Sequence, residues 1–138
     1  MNVVLGPSEA VGLAEKAAAL DGAARELCQF VDSDPSLAGQ CGVEVNAVEV
    51  RTLLMAGAAS RIFQRGTEAG RLGKRMEVST EDLEQLSRLE GVISLSASRI
   101  ALKSAALEAA DGQDGMAKLG SIIGLTTGAV GLVRSFWS

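Results

Sequence analysis

The chain has 138 residues, a net charge of −4 and no histidine. One domain of this length can bury a core. The lack of His removes the usual general base near neutral pH, the Ser-His and Cys-His nucleophile pairs, and imidazole metal ligation. Aromatic residues make up only 3%, with no Tyr, and the apolar content is mostly Ala and Leu. Sheets favour aromatic and β-branched residues, whereas Ala and Leu favour helix, so the expected class is all-α.

The opening "MNVVLGPSEA" has no basic region and an apolar run of only three residues, so it does not read as a Sec signal peptide. The expected location is cytoplasmic, membrane-associated, or exported by a route independent of such a signal. Ser8, after Pro7, is the expected N-cap of a first helix over 8–33. Leu13, Ala17, Leu20, Ala24, Leu27 and Val31 form its apolar stripe. Two of those six residues are alanine, which suits close approach of a partner helix. "DSDP" ends the helix, because Pro35 disfavours helical backbone at Asp34.

A loop, "SLAGQCGVEV", is expected next. Cys28 and Cys41 flank the break; Cys28 reads as a small core residue, and two cysteines do not make a disulfide framework. Asn46, with Glu49 three residues on, reads as the N-cap of a second helix over 47–75. That helix is apolar over most of its circumference until Arg61, which predicts burial. "AGAAS" is a run of small residues suited to tight contact, and Gly66, Gly70 and Gly73 suggest fraying or a bend before Met76.

"VSTEDL" carries the clearest start signal. Ser79 caps, Asp82 lies at N3, and Val78 and Leu83 take the two positions of a hydrophobic staple. The third helix, over 79–110, has the stripe Leu86, Leu89, Ile93, Ala97, Ile100, Ser104 and Leu107. "DGQDG" (111–115) ends it with turn residues. The expected architecture is a helical hairpin or small four-helix bundle. Residues 1–115 form its amphipathic body, with the second and third helices antiparallel and the first packed on them. Residues 116–138 form a separate apolar helix.

The charge is segregated: net −5 over residues 1–46, +4 over 47–76, −5 over 77–115 and +2 over 116–138. In the basic block, Arg61 and Arg65 are four apart, as are Arg71 and Arg75, with Lys74 beside them. These five residues are the candidates for contact with an anionic surface, lipid being a better fit than nucleic acid in an acidic protein poor in aromatic residues. The simpler expectation is neutralisation by the acidic third helix. "GTEAGRLGK" lacks the spacing of a phosphate-binding loop, and the acids of the 111–115 turn do not follow the EF-hand pattern. No catalytic residue, metal site or cofactor is expected; a Ser–Lys or carboxylate enzyme would need a pocket that no spacing announces.

"GSIIGLTTGAVG" is the most unusual stretch. On a helix Gly120, Gly124, Gly128 and Gly131 form one stripe, beside a bulky ridge of Ile122, Leu125, Leu132 and Phe136 and a second ridge ending at Trp137. Each interior Gly costs about 0.8–1 kcal/mol relative to Ala, so the stripe needs a compensating contact. G-x-x-x-G packing supplies one, in a bilayer or between proteins. The 15 uncharged residues from Leu119 to Val133 fall short of a full span. Three fates stay open for residues 116–137: membrane insertion, packing in an assembly, and docking on the protein's own bundle. The expected function is a non-enzymatic helical protein that self-associates through this stripe. The setting would be a membrane-associated, pore-like or filamentous assembly, similar in outline to secretion and pilus subunits. The expected partners are copies of itself and other helical proteins, with membrane contact open and no nucleic acid. The alternative is a soluble adaptor or chaperone-like bundle.

Overall fold

The computed structural model describes residues 2–109, and helices dominate it. In chain order the elements are β1 (Asn2–Leu5), α1 (Pro7–Ser33), α2 (Pro35–Cys41), α3 (Glu44–Ala56), α4 (Ala58–Leu72), β2 (Met76–Ser79) and α5 (Thr80–Ala109). The all-α bundle expected from composition is present, with one addition. β1 and β2 pair antiparallel in a two-stranded sheet, Asn2 opposite Ser79 and Leu5 opposite Met76. β1 (NVVL) shows no apolar–polar alternation, whereas β2 (MEVS) alternates over four residues, the shortest run that signals a strand, and its burial follows that alternation.

α1 begins one residue before the expected cap. Pro7 takes the first helical position, where its missing N–H costs nothing, and Gly6 precedes it without a side-chain cap. Along α1, Ala10, Leu13, Ala14, Ala17, Leu20, Ala23, Ala24, Leu27 and Phe30 are all buried. So broad a buried face makes α1 the central element, and it packs on α2, α3, α4 and α5. Each leucine so buried contributes on the order of 1.5–3 kcal/mol.

Pro35 does end α1, but the expected loop after it is helical. Asp34 caps α2, its carboxylate accepting from the Leu37 N–H at 3.2 Å, and Pro35 sits at N1. The residues that stop one helix therefore start the next. Gly42, with φ of 70°, closes α2.

The second expected helix is two helices. Gly57 adopts φ of 77°, in the left-handed region, and separates α3 from α4 inside "AGAAS". The expected break before Met76 falls at Gly73 alone: α4 runs through Gly66 and Gly70 without a bend and ends at Leu72, with Gly73 (φ 63°) as its cap. Asn46 is not an N-cap. It lies inside α3, buried, and its amide donates to Ser96 Oγ of α5 at 3.0 Å.

At α5 the expected start is the observed one. Ser79 Oγ accepts from the Asp82 N–H at 3.1 Å, and Val78 and Leu83 are both buried. α5 is 30 residues long, about 45 Å. Contacts between α5 and the α2–α4 stretch run in inverse order: Asp82 with Arg61, Ser96 with Asn46, and Arg99 with the Gly42 carbonyl. The broken helix α3–α4 thus lies antiparallel along α5 through the Gly57 break.

Candidate functional site

The α1–α4 crossing is the tightest among the described residues. A Cβ at Gly66 would stand 2.5 Å from the Ala10 carbonyl oxygen and 2.7 Å from the Ala14 Cβ. One at Gly70 would stand 2.1 Å from Val11 Cγ2. "GTEAG" is therefore a G-x-x-x-G contact set against the alanine face of α1, with the two helices antiparallel. In the sequence these glycines read as weak points; their spacing of four was the signal of a packed face.

The basic block disperses. Arg61 makes an ion pair with Asp82 at 2.8 Å, and its Nη1 donates to the Ala56 carbonyl at 2.7 Å. The hydrogen bond from Arg61 to Asp82 holds the guanidinium pKa above its ordinary value. Arg61 thus clamps the end of α3 to the first turn of α5, as the neutralisation reading expects for this residue. Arg71 and Arg75 do not share a helical face, because α4 ends at Leu72. Arg65, Lys74 and Arg75 instead line an open groove of about 240 Å³ with Glu68 and Glu77, over Ala69 and Met76. Two acids dilute the three cations. The groove also lies at the C-terminal, electronegative end of α4, where Arg71 and Lys74 complement the helix dipole. That arrangement favours a solvated charged face over an anion site.

The most informative surface is apolar. Val45, Val48 and Met55 of α3 are 71%, 67% and 88% exposed, although an all-round apolar helix predicts burial. α3 buries only Asn46, Ala47, Val50 and Leu53 and turns its other apolar side outward. On α5, Leu95 and Leu102 are likewise exposed. Asn46 meets Ser96 across the two helices, and Val45 and Leu95 each precede these residues by one position. In an antiparallel pair, equal offsets fall on the same side of the contact. Val45 and Leu95 therefore share the solvent face of the α3–α5 seam, with Leu102 two turns further along α5. Two opposed stripes in "EVNAVEVRTLLMA" were the signal that could have found this face.

A smaller groove of about 170 Å³ lies between α1 and α4, lined by Ala17, Ala18, Ala59, Ser60 and Phe63 and the Asp21–Arg25 ion pair. Cys28 and Cys41 are both free thiols, and burial pushes the Cys41 thiol pKa up. Cys41 is buried, whereas Cys28 is only partly so. Among the described residues no three of His, Cys, Asp and Glu stand close enough to hold a metal ion, and no helix is long and apolar enough to cross a membrane.

Gly120, Gly124, Gly128 and Gly131, and the ridge residues Ile122, Leu125, Leu132, Phe136 and Trp137, lie outside the described residues. Compared with protein-family models, curated proteins and solved structures, the chain matches none.

Proposed function

We propose that this protein is a non-enzymatic helical assembly subunit. Its bundle carries a segment, residues 116–138, that self-associates through Gly120, Gly124, Gly128 and Gly131 in a membrane-associated, pore-like or filamentous assembly of the secretion or pilus kind. The observation that carries the proposal is the Gly66–Gly70 contact. There the chain uses two glycines at a spacing of four, Gly66 against the Ala10 backbone and Gly70 against the Val11 side chain. The same spacing recurs from 120 to 128 in an apolar run, a sequence pattern that suits close packing between helices.

The uncovered apolar seam over α3 and α5 supports a second reading, an adaptor that binds another protein. Exposed contiguous apolar surface marks interaction sites.

Sedimentation of the full chain against a chain ending at Asp114, each with and without liposomes, tests the proposal. The proposal predicts that the full chain forms oligomers or binds liposomes and that the shortened chain does neither. A full chain that stays monomeric and unbound removes it. The adaptor reading predicts a monomer or dimer without liposome binding, whose seam is protected when a partner is present.

A further inference from the structure

We infer that α5 pairs antiparallel with α5 of a second copy, Leu95 and Leu102 of each chain seating on Ser98 and Gly91 of the other. The inference rests on the reading that copies gather through residues 116–138, and it names a second contact between them, made by the bundle itself.

The relief of the exposed face of α5 carries the inference. Gly91, Leu95, Ser98, Leu102 and Ala105 are all exposed and recur at spacings of four and three, the seam of a two-helix contact. Small and large residues alternate along it. A parallel pair would set leucine on leucine and glycine on glycine, leaving a gap at every second layer. An antiparallel pair, with its two-fold axis between Ser96 and Ala97, sets Leu102 over Gly91 and Leu95 over Ser98. The face is then its own complement, as a two-fold interface requires. Gly91 has no packing role within its own chain: an added Cβ meets nothing within 4 Å, unlike one at Gly66 or Gly70. Ser98 Oγ already donates to the Ser94 carbonyl at 3.2 Å, so covering it strands no donor.

Charge along α5 supports the same direction independently. Residues 80–90 carry four acids and one base, net −3, and residues 91–105 carry Arg99 and Lys103 and no acid, net +2. Antiparallel pairing brings the acidic half of one helix beside the basic half of the other, whereas parallel pairing sets like on like. Val45 of α3 stands level with the axis, because Asn46 meets Ser96, and flanks the pair on the same solvent face. The seam from Gly91 to Ala105 is about 22 Å long and 10 Å wide, roughly 200 Å² of footprint against the ~800 Å² per partner of a stable complex. The pair therefore does not hold two bundles together alone. It forms where residues 116–138 gather copies to a high effective concentration.

Full-length chains with one reporter thiol each test the pairing, on a Cys28→Ala background whose remaining native thiol, Cys41, is buried. The probe is a bismaleimide of about 10 Å reach, matched to the spacing of packed helix axes. In the inferred pair two Ser98 positions stand roughly 4.5 Å apart along the helices and two Ala105 positions about 25 Å apart. The expected result is that Ser98→Cys chains cross-link severalfold above the background protein. Ala105→Cys and Arg88→Cys chains do not cross-link alone, and do so when assembled together from urea, because these two positions lie opposite. Adding Leu95→Glu and Leu102→Glu, both at exposed positions, to Ser98→Cys returns cross-linking to background while circular dichroism shows the bundle intact. Sedimentation of the same samples reports assembly separately. Three results overturn the inference: oligomers whose Ser98→Cys chains stay at background, Ala105→Cys chains that cross-link alone as strongly as Ser98→Cys chains, or cross-linking that survives the glutamates. Oligomers without the cross-link leave the reading of the glycine stripe standing. Monomers that cross-link through Ser98→Cys as concentration rises uphold the pairing and overturn that reading, and monomers without cross-links overturn both.

Discussion

Gly66 of α4 lies against Ala10 of α1 so closely that a methyl group would sit 2.5 Å from the Ala10 carbonyl oxygen. Helix propensity favours Ala over Gly by about 0.8–1 kcal/mol, yet here the contact dominates. Gly66→Ala drives the two helices apart, and the 1–3 kcal/mol typical of overpacking, less the propensity gain of about 0.8–1 kcal/mol, leaves a net loss of about 1 kcal/mol. Gly22, on the exposed side of α1, has nothing within 4 Å of an added Cβ. Gly22→Ala stabilises by about 0.5–1 kcal/mol. Urea melts of the two variants therefore move in opposite directions.

Asn46 and Ser96 form a buried polar pair between α3 and α5. The Asn46 amide donates to Ser96 Oγ at 3.0 Å, and that hydroxyl donates onward to the Val92 carbonyl at 2.9 Å. Ser96→Ala leaves the Asn46 amide without its acceptor and costs about 1–3 kcal/mol. Asn46→Leu combined with Ser96→Ala strands no polar group, so the double variant loses less than Ser96→Ala alone. Urea melts check the order, and a double variant less stable than the single one contradicts this view of the pair.

Arg61 and Arg65 look equivalent in sequence and are predicted to behave differently. Arg61→Ala removes both the Asp82 ion pair and the bond to the Ala56 carbonyl. With the guanidinium partly exposed, the loss is about 1 kcal/mol. Arg65 has no ion pair among the described residues and lines an open groove, so Arg65→Ala stays within about 0.5 kcal/mol of wild type. Thermal melts of the two single variants check the contrast.

These positions mark what the sequence can and cannot disclose. Ser79, Asp82, Val78 and Leu83 announce the start of α5 because an N-cap and a hydrophobic staple are local. The leucine and alanine stripe of α1 is legible because it repeats for many turns. Pro35 reads as a stop only, since its role at N1 depends on an Asp34 side chain that turns to cap the next helix. Gly57 and Gly66 carry the same letter and opposite roles: one breaks a helix with a positive φ, the other packs inside one. Tertiary contact decides between them, and no local rule does. The exposed Val45 and Val48 belong to a second apolar stripe of α3 that the sequence does show, but the stripe alone does not tell whether a neighbour covers it.

Glycines 120, 124, 128 and 131, as a contact face through which the protein assembles, are the centre of the proposed function. Sedimentation equilibrium of the full chain carrying Gly124→Leu and Gly128→Leu tests that role most directly. The predicted variant, still helical by circular dichroism, drops from the wild-type oligomer to a monomer and loses any partitioning onto liposomes. An oligomer of unchanged mass and unchanged partitioning would contradict it.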